Sequence, residues 1–335
     1  MSYQISVNDG ARIYAGQEGE TLFQALTRQG LFIPTACGGQ GKCGMCRLKI
    51  QSPAPSPTEA EKRLLKDDEL AGGLRLACQC VIRGDLAVTV PEAYYSIGEY
   101  RVKITKKVPL TRDILLLGCQ ALEPKLIRTE AGSWMQWEIP PCGTDCQPYL
   151  RSFSLASDPA NRRNIEFIIR RTPCGKGTAW IFEQAKVGDV LTLRGPNGEF
   201  RLHATEKRAI FIAGGSGLSA IRSILLDMRT RKIHKPSELF FGAVSRRDLY
   251  LLDELQQLEQ DLPDFKFIPA LSAPLPKDDW QGETGLITAV VDRHYAECSN
   301  LEAYLCGSPG MLDACIKVLK DKGMPADSIY FDKFV

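Results

Sequence analysis

Histidine is scarce in this chain: only three occur in 335 residues, all of them beyond residue 200. That removes the usual imidazole ligands from any metal site in the first half. No stretch of about eighteen apolar residues occurs, so no segment reads as a membrane-spanning helix. An excess of one charge is also missing. Lys and Arg total 42 against 40 Asp and Glu, and a net charge of +2 supplies no basic face for nucleic acid. There is no secretory signal, internal repeat or long low-complexity run. What the chain does have is cysteine, twelve in all. Without a signal peptide or framework spacing, these thiols fit a reducing cytoplasm better than a secreted disulfide scaffold. The length calls for two or three domains rather than one core.

Three of the cysteines share one short loop, Cys37-Gly38-Gly39-Gln40-Gly41-Lys42-Cys43-Gly44-Met45-Cys46, and Cys78 stands alone further on. The intervals are C-x5-C-x2-C-x31-C, close to the plant-type spacing for a [2Fe–2S] cluster held by four thiolates. The glycines suit a loop that must wrap an anionic core with its N–H groups turned inward. A structural zinc site would use two C-x2-C pairs or Cys/His mixtures, and neither is present. Cys37, Cys43, Cys46 and Cys78 are therefore the expected metal ligands.

Around this loop the chain reads as a small α+β unit. Residues 3–7 and 12–15 alternate about the turn Asn8-Asp9-Gly10, as a hairpin does. Leu22, Ala25 and Leu26 recur at helical spacing, and a helix begins again at Thr58. Strands are expected at 47–50 and 86–90, with Cys78 and Cys80 on one face of another strand. Residues 91–99 read as a linker. From about 100 to 204 the chain is strand-rich with little helical periodicity, as in a small barrel. Beyond 208, buried strands alternate with helices, which predicts a parallel doubly wound sheet.

Chemistry-bearing motifs appear in both later regions. Arg151-Ser152-Phe153-Ser154 is followed by Gly175-Lys176-Gly177-Thr178, then by Gly188-Asp189 and Gly195-Pro196-Asn197-Gly198-Glu199-Phe200. Gly214-Gly215-Ser216-Gly217-Leu218-Ser219 lies between a buried strand and a helix, where a pyrophosphate can meet free N–H groups. Ser219 is expected to cap that helix. In this order the motifs resemble the ferredoxin–NADP reductase superfamily of flavoproteins, over residues 100–335. The cysteine segment resembles the β-grasp ferredoxin domain found at the N-terminus of some members. The implied fold is an α+β ferredoxin (β-grasp) domain at 1–92, an antiparallel β-barrel FAD domain at 99–205 and an α/β doubly wound NAD domain at 206–335.

The resemblance also implies roles. Arg151 would pair with the FAD pyrophosphate, Phe153 would lie against the isoalloxazine, and Ser154 would hydrogen-bond near the flavin atom that receives hydride. Ile168, Gly175, Gly177 and Thr178 would contact the flavin tail. Gly214, Gly215 and Gly217 would hold the nicotinamide dinucleotide. Cys306, with Gly307 in Cys306-Gly307-Ser308-Pro309, would lie beside the nicotinamide, so Ser154 and Cys306 are the expected catalytic pair. Ser245 and Arg246 fall at the adenosine ribose. A similar S-R-x-[DE] pattern in relatives favours NADH there, with NADPH as the alternative. Phe331 is placed either near the flavin or in the packing of a last strand. Cys142 and Cys146 read as loop thiols.

These parts form one electron path. Nicotinamide gives two electrons at once, a [2Fe–2S] cluster takes one at a time, and a flavin bridges the two. The expected function is NADH → FAD → [2Fe–2S] → an electron-accepting redox protein or oxygenase component. Residues 37–46, Pro57-Thr58-Glu59, Arg75-Leu76-Ala77-Cys78-Gln79 and Phe331-Asp332-Lys333-Phe334 also resemble the F subunit of the sodium-translocating NADH:quinone reductase. That protein starts with a membrane helix, and this chain starts with its first ferredoxin strand, so a soluble reductase is expected. The alternatives are a peripheral quinone-reductase subunit and a non-catalytic electron carrier.

Overall fold

The computed structural model describes residues 1–51, 54–141 and 148–334. Cys142 and Cys146 lie outside the described residues. Three sheets follow one another along the chain, each with its own core.

The first sheet begins with the hairpin β1 (Ser2–Val7) and β2 (Arg12–Gln17), closed by Asn8 and Asp9 at φ 50° and 56°. Helix α1 (Leu22–Arg28) is capped by Thr21, whose hydroxyl accepts from the Gln24 N–H. Strand β3 (Arg47–Ile50), helices α2 (Glu59–Leu64) and α3 (Asp67–Ala71), and strands β4 (Leu74–Leu76) and β5 (Leu86–Thr89) complete the order β2-β1-β5-β3-β4. Glu61 holds this unit together from inside, being only 1% exposed. Its carboxylate accepts from the Thr58 N–H and hydroxyl and, at 2.8 Å, from the Leu76 N–H. One side chain thus caps α2 and fixes the strand that leads to Cys78.

Two expectations change here. Strand β4 ends at Leu76, so Cys78 lies in a turn rather than on a strand face with Cys80. The N–H groups of Gln79 and Cys80 both bond back to the Leu76 carbonyl, which curls the chain. The expected linker is not free either. Residues Glu92–Ser96 form a 3₁₀ turn, and Tyr94 and Tyr95 pack on the ferredoxin core.

The second sheet holds β6 (Gly98–Pro109), β7 (Ile114–Glu123), β8 (Trp134–Ile139), β9 (Tyr149–Ser154), β10 (Asn164–Arg170) and β11 (Val190–Asn197), in the order β10-β7-β6-β11-β8-β9. It is a curled antiparallel sheet whose two edges meet at the bridge between Leu155 and Phe167. Helix α4 (Lys176–Glu183) interrupts the strands, a helix not singled out in a region that reads as strand-rich with little helical periodicity. Its Gly-Lys-Gly-Thr start hides the periodicity of Trp180 and Ile181, which are buried.

The third sheet is parallel: β12 (Arg208–Gly214), β13 (Ser237–Ala243), β14 (Phe265–Leu271), β15 (Glu283–Thr284), β16 (Leu301–Gly307) and β17 (Ile329–Lys333), in the order β15-β14-β13-β12-β16-β17. Helices α5 (Leu218–Arg231), α6 (Leu252–Asp261), α7 (Ile287–His294) and α8 (Pro309–Asp321) separate the strands. The order reverses between β12 and β16, where such sheets open a ligand crevice at the carboxyl ends of their strands. One core of this domain continues into the curled sheet through Ile114, Leu116, Ala156 and Ile168. Arg222 rivets the same boundary, pairing with Glu166 at 2.9 Å and Glu254 at 2.6 Å and donating to the Ala156 carbonyl.

Candidate functional site

Where the three sheets meet lies one cavity of about 770 Å³. Its walls come from every domain: Cys37 from the cysteine loop, Arg151, Phe153 and Ser154 from β9, and Gly214, Gly215 and Gly307 from the parallel sheet. Ile168, Gly175 and Thr178 line it as well. Its charge is lopsided. Lys42, Arg151, Arg170, Arg171 and Lys333 face it against Asp113 and Asp332. In a chain that is nearly neutral overall, that bias favours an anionic occupant such as a diphosphate.

The cysteines converge as two pairs, Cys37 with Cys43 and Cys46 with Cys78. Within each pair one sulfur is favoured as the thiolate. Cys37 falls to about 4, first through its hydrogen bond from Cys43, with the Lys42 N–H and the Thr35 hydroxyl assisting. Cys78 falls to about 7 through Cys46, then Gln79 and the Gly41 N–H. Cys43 and Cys46 move up in turn. Among the described residues no three Cys, His, Asp or Glu side chains gather as a single metal ion would need. Two thiol pairs suit two bridged irons, so the residues present fit a [2Fe–2S] core rather than one tetrahedral ion. Backbone N–H groups already point at the sulfurs, as an anionic cluster requires. Gly38 shows why the loop needs glycine: φ is +67°, and a Cβ there would stand 2.6 Å from the Leu150 carbonyl oxygen.

The β9 side of the cavity fits a flavin dinucleotide. The Arg151 stem packs on Gly177, where a Cβ would lie 3.0 Å from its Cγ. Gly177 itself stays outside the cavity lining, in the first turn of α4, whose N-cap Gly175 supplies no side-chain acceptor. The first turn of α4 and the Arg151 guanidinium stem thus lie against each other, a pairing of helix start and guanidinium that suits an anion. The Thr178 hydroxyl is already engaged, accepting from the Thr172 N–H and donating to the Gly175 carbonyl. Phe153 meets Trp137 edge-on at 5.4 Å, which fixes its ring.

The parallel sheet contributes the turn Gly215–Gly217 and the open N-terminus of α5. Gly217 lies behind the lining and touches β16: a Cβ would stand 2.0 Å from the Cys306 carbonyl oxygen. Ser219 does not cap the helix as expected, because the 3₁₀ turn runs directly into α5 at Leu218 and leaves Ser219 inside it. Its hydroxyl instead donates to the Ser154 carbonyl at 2.7 Å and accepts from the Ile168 N–H at 3.3 Å. It ties the nucleotide turn to the flavin strands.

Other expected residues are set back. The Cys306 thiol is wholly buried, and burial, with Asp332 nearby, pushes its pKa well up, so it stays neutral. Ser245 and Arg246 are not in the cavity. Ser245 donates to Asp248 at 2.7 Å, and Arg246 reaches the Asp278 carbonyl at 3.2 Å. Phe331 is 49% exposed, while Asp332, Lys333 and Phe334 line the cavity. Sequence reasoning did not single out Asp332. Its Oδ2 accepts from the Ser154 hydroxyl at 3.3 Å, and burial raises it to about 6 despite that bond. A lone acid inside Ile329-Tyr330-Phe331 and Phe334 was the available signal.

Comparison with known proteins agrees with this geometry. Residues 5–83 match the 2Fe-2S iron-sulfur cluster binding domain, residues 101–202 the oxidoreductase FAD-binding domain, and residues 211–317 the oxidoreductase NAD-binding domain. The chain is 33% identical to the phenol hydroxylase P5 protein of Acinetobacter pittii, covering 100% of this chain and 95% of that one. It is 30% identical to the F subunit of the Na(+)-translocating NADH-quinone reductase of Neisseria gonorrhoeae, over 98% and 91% of the two chains. Among solved structures, the Amycolatopsis cytochrome P450 reductase superposes with TM-score 0.79 at 26% identity, covering 99% and 98%. The ferredoxin reductase in carbazole 1,9a-dioxygenase gives 0.75 at 28%, covering 100% and 99%. Fold and cavity together define an NADH-oxidising iron–sulfur flavoprotein. The chain belongs to the ferredoxin–NADP reductase superfamily, in the group that carries a plant-type [2Fe–2S] ferredoxin domain ahead of the FAD and NAD domains. Its electrons run from NADH through FAD and the cluster to a partner.

Proposed function

We propose that the acceptor is the hydroxylase or oxygenase component of a multicomponent monooxygenase or dioxygenase system, reached in the cytoplasm. The observation that carries the reading is the single cavity shared by the cysteine loop, β9 and the Gly214–Ser216 turn. It lets dinucleotide, flavin and cluster sites adjoin without a mobile carrier between them. The choice of acceptor rests on likeness to the phenol hydroxylase P5 protein and the carbazole 1,9a-dioxygenase reductase. Among the described residues no helix is long and apolar enough to cross a membrane.

With these groups bound, the nicotinamide would supply a hydride, the flavin would turn its electron pair into single electrons, and the cluster would hold one at a time and pass it to the partner before taking the next. The chain's own residues do the rest. Arg151 and the first turn of α4, through Gly175 and Gly177, hold the flavin diphosphate. Phe153, Ile168 and Thr178 shape the flavin pocket, and Gly214, Gly215, Gly217 and Gly307 admit the dinucleotide. Ser154 is the group at the hydride-accepting atom, and Asp332 takes the proton through it. Cys306 stays a neutral thiol behind the nicotinamide. Ser245 and Arg246, with Asp248, select the free ribose of NADH. Phe331 lies apart from this machinery, and Phe334 takes the cavity position.

Mixing the purified protein anaerobically with NADH and then with ferricyanide, cytochrome c, a ubiquinone analogue or a hydroxylase component tests the reading. Fast transfer to the hydroxylase and cytochrome c with little quinone reduction is expected. Preferential quinone reduction would contradict the acceptor assignment, and unbleached flavin would contradict the enzyme itself.

A further inference from the structure

Thr35 is wholly buried two residues before Cys37, and its hydroxyl and carbonyl have separate sets of partners. The hydroxyl stands 3.6 Å from Cys37 Sγ and 3.7 Å from Cys43 Sγ, and it accepts the Gly39 N–H at 3.2 Å. The carbonyl accepts Gln136 Nε2 at 3.0 Å and the Ser152 hydroxyl at 2.9 Å, more than a hundred residues away in sequence. Gln136 and Ser152 are directly opposed in register across β8 and β9. One cross-strand pair therefore grips one carbonyl. The neighbour of Ser152 is Phe153, in the cavity wall. Further contacts hold the same two domains together. Arg194 lies over the Phe32 ring at 4.9 Å, Gly38 abuts the Leu150 carbonyl, and Leu150 packs against the ferredoxin core.

Separating the two domains would return the Gln136 amide and the Thr35 carbonyl to water, so the net strength of this grip is modest. While the domains stay docked, two directional bonds on one buried oxygen admit only one placement of the loop. The pair thus acts as a latch on position and contributes little to the stability of either domain alone. The hydroxyl acts on a different quantity, since donors to cluster sulfurs set how readily a cluster accepts an electron.

We infer that Thr35 is the positioning residue that couples the two electron sites. Its carbonyl, held by Gln136 and Ser152, fixes the Cys37/Cys43 sulfurs beside the flavin strand. Its hydroxyl adjusts the electron affinity of that same pair. The inference rests on the electron order given above.

Substitutions at two positions separate the two halves. Gln136→Leu keeps much of the volume and leaves every proposed cofactor contact in place. Amide exchange across the loop at 35–44 should rise about fivefold, the shift expected when one net hydrogen bond is lost from the docked state. The flavin-to-cluster phase in stopped flow should slow, with the reduced-cluster EPR spectrum unchanged. Thr35→Val should lower the cluster midpoint potential and alter that spectrum, and Thr35→Ser should restore both. Unchanged exchange and an unchanged transfer phase in Gln136→Leu would overturn the latch. An unchanged potential in Thr35→Val would overturn the tuning. If wild-type protein itself shows no cluster reduction after flavin reduction, the electron order fails, a result distinct from either.

Discussion

Gly217 supplies the sharpest test of how the nucleotide site is built. Its φ of −61° is ordinary, so alanine there carries no backbone strain. The obstacle is space. A Cβ would fall 2.0 Å from the Cys306 oxygen, 2.4 Å from its carbon and 2.8 Å from the Gly307 nitrogen, all main-chain atoms of β16. No side-chain rotamer relieves that contact, and β16 is locked between β12 and β17. Either the turn or the strand must move by roughly 1 Å, and overpacking of this kind costs about 1–3 kcal/mol or more. Both walls of the dinucleotide side shift together, since Gly214–Ser216 and Gly307–Ser308 line the same cavity. Gly217→Ala should therefore lower the denaturation midpoint and raise the KM for NADH at least tenfold, while dithionite still reduces flavin and cluster. Gly19→Ala is the control, because a Cβ there meets nothing within 4 Å and only its φ of +81° is strained. Wild-type KM and stability in Gly217→Ala would refute the reasoning.

Three further outcomes are expected. Cys43→Ser should abolish cytochrome c reduction and leave ferricyanide reduction largely intact, and equal loss of both with FAD still bound would contradict the electron order. Glu61→Ala removes the acceptor of three hydrogen bonds, so it should destabilise the ferredoxin domain by about 2–4 kcal/mol and speed cluster loss on dilution, followed by absorbance. Asp332 has a folded pKa of about 6, raised from 3.8 chiefly by burial. Between those values the folded state holds the extra proton, so stability falls as pH rises from about 4 to 6, by at most about 3 kcal/mol. Asp332→Asn should flatten that slope in chemical denaturation of the apoprotein, and it should remove an inflection near pH 6 from the flavin reoxidation rate.

The cysteine quartet was legible because spacing and ligand chemistry are local. So was the alternation of strands and helices beyond Arg208. What escaped depends on the phase of one residue or on a distant partner. Phe331 reads equally as a flavin neighbour or as packing of the last strand, and composition does not encode that Phe334, just past β17, lines the cavity. Ser219 reads as a cap from its neighbours alone, yet its hydroxyl is spent on Ser154 and Ile168. Helix α4 hid behind its glycines, and Thr35 carries no signal until Gln136 and Ser152 are seen on its carbonyl. Such contacts arise between domains, where no periodicity runs.

The central claim is the order of electron flow, and anaerobic stopped flow with NADH tests it most directly. Flavin bleaching should come first, followed by cluster bleaching and, in samples frozen along the time course, the EPR signal of a reduced [2Fe–2S] centre. In Cys43→Ser the first phase should remain and the second vanish. Cluster reduction that precedes flavin reduction, or that persists without Cys43, would contradict the account.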